Sequence, residues 1–190
     1  MALRFASAAD AAALLAIYGQ YLDTPVTFEQ DLPSEAEFAR RIASYGGTHP
    51  YLVWEEGGRP VGYAYAHQLG ERTAYQWSAE LSVYLDRGWT ARGIGRRLCG
   101  ALLELLRLQG VRTAYGCVTV PNPASEGLHR ALGFRTAGIW RSAGFKCGAW
   151  RDVAWFEKPL ASYEPDPGPL LPIGAVPPAE RAAVLTRYSE

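Results

Sequence analysis

Apolar residues recur along this chain in two rhythms, one of period two and one near 3.6, and the switches between them outline the elements. Residues 3–6 predict a short first strand. Ser7 with Asp10 marks a helix start, after which Ala11, Leu14, Leu15, Ile17, Tyr18 and Leu22 fall at helical spacing. Thr24-Pro25 interrupts that pattern and leaves Val26-Thr27-Phe28 as a loop. Ser34 and Glu37 have capping-box spacing and predict a second helix ending near Tyr45. Residues 51–56 and 59–67 predict two strands joined by a tight turn at Gly57-Gly58, and residues 75–85 predict a longer third strand of this run. A strong amphipathic pattern spans about 94–109, followed by a strand over 112–119. Asn122-Pro123 opens a short helix to about Leu132, and strands are predicted over 134–145 and 150–158. The order βααβββαβαββ describes an α/β domain over residues 1–160, a mixed central sheet of about seven strands flanked by helices.

Beyond Leu160 the texture changes. Seven of the thirteen prolines fall between Pro159 and Pro178, which argues against a regular core element there. Residues 161–190 therefore read as a Pro-rich C-terminal extension, an arm lying on a surface or on a partner subunit, with a short helix over 179–188. Trp77, Trp150 and Trp155 alternate on predicted strands and read as core.

Composition narrows the function. Hydrophobic residues are 48% and charged residues 20% of 190, enough for a real core. Nineteen basic residues balance nineteen acidic ones, where a nucleic-acid binder would show a basic excess. No apolar run approaches the roughly 20 residues that span a bilayer, and the first five residues lack the build of a signal peptide, so a cytoplasmic location is expected. Three separated cysteines and three scattered histidines give neither a disulfide framework nor metal-ligand spacing, and no metal is expected.

The stretch from Tyr84 to Leu98 carries the clearest chemistry. A strand runs into a Gly-bearing loop that opens directly into a helix, aiming unpaired N–H groups and the positive helix end at one point. Gly93 and Gly95 let the backbone approach an anion, and Arg92, Arg96 and Arg97 add charge. A Walker A loop would need Lys where Ile94 stands, and a dinucleotide fingerprint would need Gly where Leu98 stands. Alone, the pattern also fits an ordinary tight turn.

The stretch resembles the RxxGxG/QxxGxG pyrophosphate loop of Gcn5-related (GNAT) acetyltransferases, with Thr90 in place of the usual Gln or Arg. The resemblance extends over residues 3–173. Ala74 to Tyr84 is similar to the AYDWT-E-VYV motif of phosphinothricin acetyltransferases. Pro121 to Ser125 with Leu128 to Phe134 is similar to that family's PNDPS…LHEALGY, and Arg141 to Val153 to its RAAG(F/Y)KHG-WHDV. Cys147, Cys99 and Glu29 stand where the family commonly has His, Tyr and Arg.

The resemblance implies a GNAT fold and acetyl-CoA as cosubstrate. Backbone groups of Val83, Tyr84 and Leu85 would then meet the pantetheine, the run Ala91, Arg92, Gly93, Ile94, Gly95 and Arg96 the pyrophosphate, and Asn122 the cofactor as well. Glu80 matches the family's general base and His129 a second residue near the reaction centre; typical members are homodimers. Phe28, Arg72 and Tyr75 are the expected acceptor contacts, Arg72 by pairing with a carboxylate. The residues alone leave alternatives open. Glu80 in an apolar strand fits a solvent-facing residue, His129 a packed one, and Arg72 a solvated one. The expected reaction is acetylation of the α-amino group of a small amino-acid-like substrate of the phosphinothricin, methionine sulfone or methionine sulfoximine type. Alternatives are another small amine, a protein N-terminus, or an acyl-CoA-binding regulatory module.

Overall fold

Apolar runs in the central strands and the amphipathic faces of the helices assemble one mixed sheet covered on both sides. In the computed structural model, which describes residues 2–190, β1 (Ala2–Phe5) is followed by α1 (Ala11–Gly19) and α2 (Glu35–Thr48). β2 (Tyr51–Glu56), β3 (Arg59–Gln68) and β4 (Ser78–Leu85) come next, then α3 (Ile94–Gln109) and β5 (Thr113–Val120). α4 (Pro123–Ala131), β6 (Arg135–Lys146), β7 (Ala149–Pro159) and α5 (Pro178–Ser189) complete the chain. The sheet order is β1-β2-β3-β4-β5-β7-β6, antiparallel except for the β4–β5 pair. This is the element order expected from the sequence, with a fifth helix at the end.

Two cores result, one on each face. Against α3 pack Leu52, Trp54, Ala79, Leu81, Ala114 and Phe156, meeting Leu98, Leu102, Leu105 and Leu106, all fully or nearly fully buried. Burial of such side chains contributes about 1.5–3 kcal/mol each. On the other face α1 and α2 cover Tyr51, Val53 and Tyr63 with Leu14, Ile17, Phe38 and Ile42.

Several local expectations are corrected. Ser34 caps α2 by accepting from the Glu37 N–H at 3.2 Å, but the Glu37 carboxylate takes a hydrogen bond from Arg41 one turn on. Tyr75 belongs to a three-residue turn, Thr73–Tyr75, and the strand starts three residues later at Ser78. Trp77 precedes that strand, and Trp150 is 66% exposed, because the outer part of the β6–β7 hairpin has no layer above it. The extension does enter the core: Ile173, Val176 and Val184 are buried with α3. Its backbone is held there by Gln109, whose carbonyl accepts from the Leu171 N–H and whose side chain donates to the Leu171 carbonyl. Between Pro159 and Pro177 the prolines exclude strand and α-helix, but not burial of the apolar side chains among them.

Candidate active site

β4 and β5 run side by side for four residue pairs and then part. Their register ends at Leu81↔Gly116, while β4 stays paired with β3 as far as Gly62↔Leu85. Beyond Leu81 one edge of β4 therefore faces an opening. Backbone direction alternates along the strand: the Ser78 carbonyl and the Asp86 N–H bond towards β3, and the Trp77 carbonyl bonds towards β5. Val83 and Leu85 thus face the opening, and Tyr84 faces β3. The Leu85 carbonyl is taken by the Tyr21 hydroxyl at 2.6 Å, while Val83 presents its backbone groups to the opening with no partner among the described residues. The opening is a cleft with about 420 Å³ of open space, lined by Ser82, Val83, Cys117, Asn122, Ser125 and His129 among others.

Glu80 stands at the foot of this cleft, paired with His67 on β3 and Tyr115 on β5. It is half-buried, and burial raises its carboxyl pKa above the ordinary value while His67 pulls the other way. Cys117 lies on the same face; burial, reinforced by the Glu80 charge, pushes its thiol up to about 12, which keeps it protonated at neutral pH. It is no thiolate nucleophile.

His129 approaches from the other face. It sits near the end of α4, 4% exposed, stacked on Phe156 at 5.1 Å and edge-on to Phe134 at 5.0 Å. Its Nδ1 lies 2.8 Å from the Ser125 carbonyl, an oxygen that can only accept, so Nδ1 carries the hydrogen. Nε2 is buried without a partner among the described residues, and burial lowers the ring's pKa, which favours the neutral imidazole with an open lone pair at Nε2. The ring fits because residue 116 is glycine: a Cβ there would lie 2.2 Å from Nε2. A lone glycine inside a strand signals such an approach, and Gly116 is the sign of it that the sequence carries.

The loop between β4 and α3 turns through two left-handed residues, Ala91 at φ 59° and Gly93 at φ 81°. For Ala91 that conformation is strained, about 1–3 kcal/mol. Gly93 is the N-cap of α3 and offers no side-chain cap, so the first N–H groups of the helix stay open. Arg92 is stacked over Trp89 at 4.4 Å, and Arg96 is exposed at the same end. Ile94 and Gly95 are buried against the core, Gly95 next to Leu85 and Leu128. Gln20 clamps the loop's entrance, accepting from the Arg87 N–H at 2.9 Å. Asn122 caps α4 with its Oδ1 on the Ser125 N–H, leaving its amide N–H₂ to the cleft. Open N–H groups, a free strand edge and nearby arginines fit a phosphopantetheine ligand.

The expected acceptor contacts are only partly brought together. Phe28 packs against Gly144, where a Cβ would meet its ring at 2.5 Å, and its neighbour Val26 lines the cleft. Lys146, buried, donates to the Glu29 carbonyl and ties this loop to the hairpin. Arg72 is exposed on the β3–β4 loop and is not among the residues lining the cleft. Tyr75 lines a separate groove with Tyr115, Trp140 and Trp155. Cys99 is a fully buried packing residue, and Cys147 sits at the hairpin turn with φ 51°. No cluster of His, Cys, Asp or Glu among the described residues is placed to hold a metal.

A sheet that splays beside a left-handed loop and an uncapped helix N-terminus offers an extended ligand free backbone groups along its length and an anion site at one end. Residues 3–155 match the acetyltransferase (GNAT) domain family, and the chain belongs to that family. It is 33% identical over 172 residues to a phosphinothricin N-acetyltransferase of Streptomyces viridochromogenes, covering 90% of this chain and 93% of the relative. An L-methionine sulfoximine/L-methionine sulfone acetyltransferase of Salmonella typhimurium is 29% identical, covering 86% and 96%. The crystal structure of a phosphinothricin acetyltransferase from Sinorhizobium meliloti in complex with acetyl-CoA superposes with a TM-score of 0.83 at 37% identity, covering 87% and 92%. The chain is an acetyl-CoA-dependent N-acetyltransferase.

Proposed function

We propose that the protein acetylates the α-amino group of a small amino-acid-like substrate of the phosphinothricin, methionine sulfone or methionine sulfoximine kind, by direct transfer from acetyl-CoA. The observation that carries this reading is the half-buried Glu80 carboxylate, with its raised pKa, at the foot of the cleft between β4 and β5. An α-ammonium has a pKa near 8, so a base is needed at neutral pH. Glu80 accepts that proton, through a water where the amine lies beyond direct reach. The free backbone groups of Val83 orient the pantetheine, and the loop from Ala91 to Arg96 with Asn122 holds the phosphate end. Acetyl-CoA supplies the activated acyl group. His129 offers Nε2 as an acceptor and not as a proton donor, which makes it a positioning group beside the leaving sulfur.

Thiol release from acetyl-CoA across a panel of amines tests the reading. Turnover with small amino acids is expected, and thiol release that no amine accelerates would leave an acyl-CoA-binding module instead. The exposed Trp140, Phe145 and Trp150 on the β6–β7 hairpin support a homodimer in which that surface is covered. A monomeric mass in light scattering at micromolar concentration would contradict it. The acetyl-CoA requirement supports a cytoplasmic location; among the described residues no helix is long and apolar enough to cross a membrane.

A further inference from the structure

From Ser82 onwards the side of β4 that faces the opening has no strand against it. Two adjacent residues that follow α1 take the place of one. The Tyr21 hydroxyl donates to the Leu85 carbonyl at 2.6 Å. Gln20 spans the next two residues with one side-chain amide: its carbonyl accepts from the Arg87 N–H at 2.9 Å, and its NH₂ donates to Asp86 Oδ2 at 3.2 Å. The other Asp86 oxygen accepts from the Gly88 N–H at 2.9 Å. Leu85, Asp86 and Arg87 are the three residues that lead from β4 towards the loop ahead of α3.

These contacts bear on both ends of the path that an extended ligand takes. The Leu85 side chain packs between two glycines: a Cβ on Gly62 would meet it at 2.4 Å and one on Gly95 at 3.6 Å, so fixing Leu85 also seats the first turn of α3. Burial raises the pKa of the Tyr21 hydroxyl, which keeps it a donor at neutral pH. Its ring stands edge-on to Tyr84 at 5.6 Å and lies under the Arg87 guanidinium, also at 5.6 Å. The Arg87–Asp23 pair at 3.5 Å is exposed and adds little. The hold on the loop entrance is therefore made by two neutral side chains of neighbouring residues.

We propose that Gln20 and Tyr21 are positioning residues for acetyl-CoA, Tyr21 setting the strand edge along which the pantetheine lies and Gln20 setting the entrance of the loop that takes the pyrophosphate. The inference rests on the placement of acetyl-CoA proposed above. Both residues act through the backbone they hold, so they govern cofactor binding and leave the acceptor and the chemical step alone. Tyr21→Phe and Gln20→Ala in the full chain test this with two thioesters, acetyl-CoA and S-acetylpantetheine, which has the same arm without the phosphates and nucleotide. Tyr21→Phe keeps the ring and loses one hydrogen bond, so kcat/KM should fall about five- to tenfold for both thioesters. Gln20→Ala should lower kcat/KM for acetyl-CoA by a similar factor and leave that for acetylpantetheine unchanged. Calorimetry with coenzyme A should show the same losses of affinity, while kcat at saturating acetyl-CoA and the acceptor KM stay at their wild-type values.

Unchanged coenzyme A affinity in both variants overturns the proposal. So does a fall in saturated kcat or in acceptor affinity as large as the fall in coenzyme A affinity, which would make the two residues general supports of the fold. Equal losses for the two thioesters in Gln20→Ala would remove its assignment to the phosphate end. Gly95→Glu separates these failures from that of the cofactor placement. If it weakens coenzyme A binding while Gln20→Ala and Tyr21→Phe do not, the cofactor lies on the loop and these two residues do not position it. If coenzyme A affinity survives Gly95→Glu, the placement is wrong and this inference falls with it.

Discussion

Glu80 and His129 stand on opposite faces of one sheet, and the gap that opens after the Leu81↔Gly116 pair joins them. Glu80 shares its face with Tyr115 and Cys117, while His129 lies against the other side of Gly116. A ligand threaded through the gap would meet a carboxylate on one side and an imidazole on the other. The two groups therefore have separable roles. Glu80→Gln, nearly isosteric, should lower kcat by about 10²–10⁴ with acetyl-CoA affinity nearly intact. His129→Asn should cost less.

The pH profile distinguishes them further. A base works ionised, so kcat/KM falls as pH drops through the Glu80 pKa, which burial places above the ordinary carboxylate value. That acidic limb should vanish in Glu80→Gln and persist in His129→Asn. The reverse pattern would make His129 the base.

Gly116→Ala puts a methyl group where the His129 ring sits, 2.2 Å from Nε2 and 2.7 Å from Cδ2. The neighbours on that side are core residues, so the ring has little space to retreat. A loss of about 1–3 kcal/mol in urea unfolding is expected, with turnover falling to the level of His129→Asn. Wild-type stability and turnover in this variant would show that the imidazole's place is not tightly set.

Gly95→Glu tests the phosphate loop. Gly95 is buried in the first turn of α3, where a side chain would start from a Cβ 3.6 Å from Leu85 and Leu128 and bring a negative charge to the end of the helix whose open N–H groups suit an anion. Acetyl-CoA binding measured by calorimetry should weaken severely while the fold persists. Unchanged affinity would place the pyrophosphate elsewhere.

His49 makes stability depend on pH. It is buried at the end of α2 with Nε2 unpartnered among the described residues, and burial pushes its pKa from 6.5 down to about 4. Between those values the unfolded chain binds a proton that the folded chain refuses, so stability is lost as pH falls through that window. The effect amounts to at most about 3 kcal/mol. His49→Gln should flatten this part of the urea stability curve between pH 7 and 4. Parallel curves for the two proteins would assign the slope to other groups.

Local chemistry made much of the fold legible. Period-two and period-3.6 patterns depend on neighbours in sequence, and they located the strands and helices to within a few residues. Ser34 and Gly57-Gly58 act within their own turns, so their readings needed no tertiary information. The loop ahead of α3 was legible for the same reason, since glycine spacing and a helix start lie on consecutive residues. Trp150 was not: its alternation is that of a core strand, but exposure depends on whether another layer covers the hairpin. Tyr75 likewise has strand-forming character, but it sits in the Thr73–Tyr75 turn of the loop joining β3 to its neighbour β4.

The sequence by itself determined the element order and the anion-seeking loop, because each follows from residue type and short spacing, while Glu80 and His129 stood out through the resemblance of their motifs to those of phosphinothricin acetyltransferases. Only the tertiary structure decided that β4 and β5 part after Leu81, that Val83 keeps its backbone free, and that Glu80 and His129 face each other across the sheet. It also closed Glu29 and Arg41, twelve residues apart, over tyrosines from two strands. These are properties of pairs brought together across long stretches of chain. Their energies depend on distance and burial, which no local pattern encodes.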